Sequence, residues 1–147
     1  MNSPLLDRLT ERGRAFLGTR HAILGGAMSW VSERTLVSAI SEAGGFGVLA
    51  CGAMAPDQLA AEIAATRART AKPFGVNLIT MHPRLMDLID VCRAAGVSHV
   101  VLAGGLPPAP AIAAVTDFAR VIAFAPNLAL ARKLLRSGVD ALVIEGS

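Results

Sequence analysis

Residues 74–102, FGVNLITMHPRLMDLIDVCRAAGVSHVVL, contain one full period of the chain's internal repeat. A short apolar run, Phe74–Leu78, is followed by Leu85, Leu88, Ile89 and Cys92 at helical spacing, then Gly96, then a second apolar run, His99–Leu102. Both runs are apolar on both faces, as parallel strands covered from two sides must be. Pro83 stands where a first-turn proline belongs, and Gly96 stands where a helix stops. The segment reads strand, helix, strand.

The same pattern recurs on either side. Further strand candidates are His21–Gly25, Phe46–Ala50, Val121–Ala125 and Ala141–Glu145. Val48, Val76, Val101, Ile122 and Val143 are 28, 25, 21 and 21 residues apart, room for one strand and one crossover helix each time. Ser32 is placed to cap a helix through Leu36, Ala39, Ile40 and Ala43 that Gly44 ends. Pro56 opens another ahead of Leu59, Ile63 and Thr66, and Ile112, Val115 and Phe118 keep helical register between Pro110 and Phe118. Asn127 caps a helix from Leu128 to Ser137, which Gly138 ends, and Ser3–Pro4 opens a short leading helix through Leu5, Leu6 and Leu9. The fold class is therefore α/β, with a helix, five βα units and a sixth strand. The units are even in length and no GxGxxG follows a strand. Both features point to an incomplete TIM (β/α)8 barrel rather than an open doubly wound sheet. A complete barrel takes about 250 residues. Residues 1–147 are accordingly expected to be the N-terminal portion of one such domain, with 1–18 its leading helix and lead-in.

Composition supports a buried-core protein. Apolar residues make up 53% and charged residues 17%, which excludes intrinsic disorder. The longest uncharged stretch, Ala94 to Thr116, is broken by glycines and prolines, and no leader-like apolar run opens the chain. No membrane role is expected, and the cytoplasm is the expected compartment. Cys51 and Cys92 lie 41 residues apart with no CxxC, so they read as small buried hydrophobes; no metal-ligand spacing occurs. The net charge is +3, but the basic residues are dispersed, with no tyrosine and no aromatic–basic cluster. No nucleic-acid binding is expected.

In a barrel of this kind chemistry gathers at the carboxyl ends of the strands. That rule selects Gly25–Gly26–Ala27–Met28–Ser29–Trp30 after the first strand, where glycine lets backbone lie against a flat ligand or simply makes a turn. It selects Asn77, an amide in an apolar run, whose partner is a ligand edge or a neighbouring loop. It also selects Glu145 and Gly146 after the sixth strand. His82 falls on the same side but immediately precedes Pro83 at an expected helix start, which suits a capping or surface role. His21 and His99 sit at strand starts and read as structural. No nucleophile triad or carboxylate dyad is present, so the chemistry belongs to a cofactor or lies outside these residues.

The stretches GGAMSWVS (25–32), AGGFG (43–47), KPFGVNL (72–78) and GVDA through Glu145–Gly146 (138–146) resemble the FMN-dependent nitronate monooxygenase family. That family was formerly called 2-nitropropane dioxygenase, and its close relative is the flavin-dependent enoyl-acyl-carrier-protein reductase II. The resemblance implies a TIM-barrel flavoprotein with FMN as cofactor. Gly26, Ala27 and Met28 would meet the flavin ring, Asn77 would bond its polar edge, and Glu145 and Gly146 would complete the cofactor site. Gly44 to Gly47 would support the ring through tight helix–strand packing, while Trp30 and His82 would border the substrate. The partners implied are a small nitronate with O2, or an enoyl thioester with NAD(P)H. The family's catalytic histidine would follow Ser147, and its phosphate-binding loops follow strands beyond the sixth. The 147 residues alone are thus expected to be catalytically inactive, with two open sheet edges that favour self-pairing, for example as a homodimer. Phe124 stands where some family monooxygenases carry a lysine, a departure that leans towards the reductase branch.

Overall fold

A computed structural model describes residues 3–144. Its elements are α1 (Pro4–Leu17), β1 (Leu24–Gly25), α2 (Arg34–Glu42), β2 (Phe46–Ala50), α3 (Pro56–Arg67) and β3 (Phe74–Ile79). They continue with α4 (Leu85–Ala94), β4 (His99–Ala103), α5 (Ala109–Thr116), β5 (Arg120–Phe124), α6 (Leu128–Arg136) and β6 (Ala141–Val143). The six strands form one sheet in the order β1-β2-β3-β4-β5-β6, and every neighbouring pair is parallel. With no reversal of strand order, each crossover steps the chain one strand further round. The result is half of a TIM barrel.

The two faces of the sheet carry separate cores. On the convex side Leu49, Val76, Leu78, Val100, Leu102, Val121 and Ala123 pack against helix residues such as Leu59, Ile63, Leu88, Ile89 and Leu134. On the concave side Phe46, Val48, Val101 and Ile122 form a second cluster with Leu17, joined by Phe16, Ala27, Phe124, Ala141 and Val143. Strand register sorts the concave side chains into rows. Ala50, Asn77, Val101, Ile122 and Ala141 lie across from one another in the middle of the sheet. Two residues further along the strands, Ile79 pairs with Ala103 and Phe124 with Val143, forming the row at the carboxyl rim.

Helix α1 closes the amino-terminal end of this concavity and runs well past Leu9. Ser3 caps it, and Gly18 ends it in the left-handed conformation at φ +68°. His99, on β4, donates from Nε2 to the Phe16 carbonyl at 2.8 Å, and its Nδ1 lies 2.9 Å from the Ser98 hydroxyl. A carbonyl can only accept, so the proton sits on Nε2. The ring meets the Phe16 and Phe46 rings edge-on at 5.1 and 4.8 Å. Burial holds the His99 pKa below its ordinary value, with a backbone bond to Phe16 opposing. The structural reading of His99 is borne out.

Three local expectations need correction. Ser32 does not cap α2: Glu33 does, its carboxylate accepting from the Thr35 and Leu36 amides at 2.9 and 3.1 Å. These two backbone donors lower the Glu33 pKa. Pro83 is not in the first turn of α4, which begins at Leu85 behind Arg84. The first strand shrinks from His21–Gly25 to Leu24–Gly25. Thr19 bonds the His21 carbonyl and Arg20 reaches both His21 and the Ala43 carbonyl, which holds the approach out of the ladder apart from single bonds at His21 and Phe46. The part of the last strand expected beyond residue 144 lies outside the described residues. No helix among the described residues is long and apolar enough to cross a membrane.

Candidate functional site

Residues 26–31 leave β1 over its carboxyl end, and Ser32 folds them back. The Ser32 hydroxyl accepts the Met28 amide at 3.0 Å and donates to the Gly26 carbonyl at 3.0 Å. The Ser32 amide donates to the Met28 carbonyl at 2.9 Å, while the Ser32 carbonyl accepts from Ala50 at the end of β2. Ala27, half-buried, rests on the concave cluster. Neither its amide nor its carbonyl is bonded within the described residues. A Cβ on Gly26 would meet nothing within 4 Å, and its φ is not positive. Neither packing nor backbone strain within the described residues requires glycine there.

Met28 is about half exposed and Trp30 is 95% exposed. Trp30 also has φ +67°, alone among the described non-glycine residues in taking a positive value. A left-handed bulky residue with almost no protein contact is a strained feature, and strain of this kind gathers at binding sites.

Asn77 lies on the concave side, in the middle row opposite Ala50 and Val101. It is buried, and its Nδ2 donates to the Val101 carbonyl at 3.3 Å. Three residues further along the chain is Thr80, also buried, whose hydroxyl has no partner among the described residues. His82 sits in the turn after β3, half-buried, where its Nδ1 accepts the Arg84 amide at 3.1 Å. The imidazole therefore closes that turn. Glu145 and Gly146 lie outside the described residues.

The carboxyl rim also holds a feature that the sequence reading passed over. Gly104 and Gly105 follow β4 with φ +80° and +138°, conformations that side chains rarely adopt. A Cβ on Gly105 would stand 3.2 Å from the unpartnered Thr80 hydroxyl. Together with Ala103, Leu106, Phe124 and Val143 the two glycines border a cavity of about 440 Å³. The rule that singled out Gly26 and Asn77, a polar or glycine residue directly after a strand, applied equally to Gly104–Gly105.

Gly45 and Gly47 are needed for packing instead. A Cβ on Gly47 would fall 2.5 Å from the Val37 carbonyl, and one on Gly45 would fall 3.2 Å from Ile40, so α2 lies tightly on β2. Both cysteines are buried, with thiols pushed up to about 11 for Cys51 and about 12 for Cys92 by that burial. Neither is poised as a thiolate. Among the described residues no group of three His, Cys, Asp or Glu side chains could hold a metal.

The fold is shared with known proteins. FabK from Thermotoga maritima superimposes with a TM-score of 0.88 at 40% identity, over 92% of this chain and 43% of that one. A (3aS,4S,5R,7aS)-5-hydroxy-7a-methyl-1-oxo-octahydro-1H-indene-4-carboxyl-CoA dehydrogenase of Mycobacterium tuberculosis is 34% identical over 133 residues, 88% of this chain and 37% of the relative. A nitronate monooxygenase of Paraburkholderia phytofirmans is 30% identical over 88% of this chain and 46% of its own length. The chain thus spans less than half the length of these relatives. The nitronate monooxygenase family model matches residues 11–97, which include the second half of α1, the β1–α2 loop and Asn77. On these grounds the chain belongs to the nitronate monooxygenase family.

Proposed function

We propose that these residues form the ring-binding part of an FMN-dependent oxidoreductase that oxidises alkyl nitronates with O2. The observation that carries this reading is that Ala27 rests on the concave cluster while Asn77 lies in the middle row of the same face. Among the described residues the half-buried Ala27 has an unbonded amide and carbonyl, and the space over Gly26 is open. Among the same residues Thr80, behind the rim, keeps a buried hydroxyl without a partner. A flat, mostly apolar group with polar edges suits such a surface, and the residues present fit a flavin ring. FMN, when bound, supplies the electron transfer between substrate and O2.

In this reading Gly26 admits the ring, the Ala27 amide and carbonyl meet its polar edge, and Asn77 adds an amide from the middle of the sheet. Glu145 and Gly146 would extend the same site. Met28 and Trp30 shield the substrate from water, and His82 borders it. Aerobic assay of the full-length protein loaded with FMN tests the reading. Oxygen uptake that depends on an alkyl nitronate is expected, and its absence sinks the proposal.

A second reading keeps the site and exchanges the substrate: NAD(P)H as reductant and an enoyl thioester as acceptor. Two observations favour it. The Mycobacterium tuberculosis relative is named for a CoA thioester. Phe124, an apolar residue at the concave rim beside the cavity, stands where some of the family's monooxygenases place a lysine. NADPH oxidation that depends on crotonyl-CoA, without nitronate-dependent oxygen uptake, would select this reading over the first.

A further inference from the structure

The loop over β1 is closed at its far end by the Val31 and Ser32 amides on the Met28 carbonyl, and its opening residues are tied down by one side chain. Ser32 is buried and its hydroxyl spends both hydrogen-bonding roles on residues 26 and 28. Those bonds turn the flanking peptide groups towards Ser32 and leave Ala27 between them with its amide and carbonyl unbonded among the described residues. Ser32 is itself held from two directions. Its carbonyl accepts the Ala50 amide at 3.0 Å, which ties it to the end of β2. Two residues on, the buried Glu62 of α3 accepts the Arg34 amide at 2.7 Å and also pairs with the Arg34 guanidinium. The first turn of α2 is thereby fixed to α3, so Ser32 enters the loop from a rigid base.

We infer that Ser32 is a positioning residue for the flavin: its hydroxyl sets the peptide planes of Gly26–Met28 so that the Ala27 backbone, and not a side chain, faces the ring. This rests on the FMN reading above for the identity of the ligand. It goes beyond that reading in naming a residue that touches neither cofactor nor substrate.

The sequence context explains why serine suits the position. Bridging an amide and a carbonyl two residues apart takes one group that donates and accepts at once, which a hydroxyl does through a single atom. Threonine keeps the hydroxyl; alanine and cysteine do not supply the same bonds.

The test uses the full-length protein as wild type, Ser32→Ala and Ser32→Thr, with circular dichroism confirming that each variant folds. The first readout is amide hydrogen exchange over residues 26–30 without added ligand. Ser32→Ala is expected to speed exchange at Met28 at least tenfold while leaving Val101 and Ile122 unchanged, and Ser32→Thr is expected to restore protection. Unchanged exchange at Met28 would overturn the inference. The second readout is FMN titration followed by fluorescence quenching and by the visible flavin spectrum. Ser32→Ala is expected to weaken FMN at least tenfold and shift the absorption band, with Ser32→Thr near wild type. Equal affinity and an unaltered band in Ser32→Ala would also overturn it. Failure of the wild-type protein to take up FMN would instead refute the cofactor reading, and the exchange measurement alone would then decide whether Ser32 sets the loop.

Discussion

The two ends of the half-barrel are built on opposite terms. At the amino-terminal end, α1 is pinned to the sheet by His99, whose two ring nitrogens both have partners and whose ring contacts Phe16 and Phe46. At the carboxyl rim the polar groups of Ala27 and the Thr80 hydroxyl have no partners among the described residues, Trp30 is strained, and Met28, Trp30 and Met81 are exposed. Satisfied polar groups and dense packing store stability, whereas unmade bonds and open apolar surface are what a binding site must retain. Substitutions at the first end should therefore change stability, and those at the second should change ligand binding.

The largest effect is expected at Phe46, which is fully buried against His99 on the concave face. Phe46→Ala should lower unfolding stability by about 3–5 kcal/mol, measured by urea denaturation, because it opens a cavity that α1 and the sheet cannot both close. A loss under 1 kcal/mol would break the contrast by showing that the plug is loose.

His99 comes next and adds a pH signature. Replacement by alanine strands the Phe16 carbonyl and removes the ring contacts, with a loss of about 2 kcal/mol. In the native protein burial lowers the His99 pKa, so below its ordinary value of 6.5 the unfolded state takes up a proton that the folded state refuses. The His99 contribution is complete above 6.5 and declines as pH falls from there towards the lowered folded value. The unfolding free energy should decrease across that window in the wild type, and the His99-dependent part of the slope should vanish in His99→Ala.

How far these two ends were legible in the chain differs. Element order, parallel pairing and the structural role of His99 follow from patterns repeated many times over: apolar runs, strand spacing, a histidine at a strand start. Details set by one competition were not legible. Ser32 and Glu33 are adjacent and both can cap a helix; the carboxylate took the cap, where its charge is favoured, and freed the hydroxyl to brace the loop. The first strand shortened because Thr19 and Arg20, polar residues with ordinary spacing, found partners off the ladder. Asn77 stood out as an amide in an apolar strand. Thr80, three residues later, did not, because a threonine near a strand end is unremarkable until its hydroxyl is found without a partner.

Asn77 sharpens the comparison from the other side. Asn77→Ala gives up one bond, to the Val101 carbonyl, and should lower stability by only about 1 kcal/mol. Under the proposed function the same change removes an amide from the ring's edge and should weaken FMN by tenfold or more in a fluorescence titration. A stability loss near that of Phe46→Ala with unchanged FMN affinity would place Asn77 with the scaffold and not with the site.

The smallest change should be a gain. Trp30 holds φ +67° with only 5% of its surface covered, so almost no packing compensates the left-handed backbone. Glycine adopts that conformation without the steric penalty, which is roughly 1–2 kcal/mol for an ordinary residue, although it adds freedom to the unfolded chain. Trp30→Gly should therefore raise unfolding stability by about 1 kcal/mol or less and, under the proposed function, raise the substrate KM through loss of the shielding indole. A variant that gains stability and keeps its KM would mean that the strain serves no ligand. A loss well beyond the roughly 1 kcal/mol that glycine's freedom in the unfolded chain can cost would mean that the indole is packed in the folded protein, and the rim would then share the scaffold's role at that point.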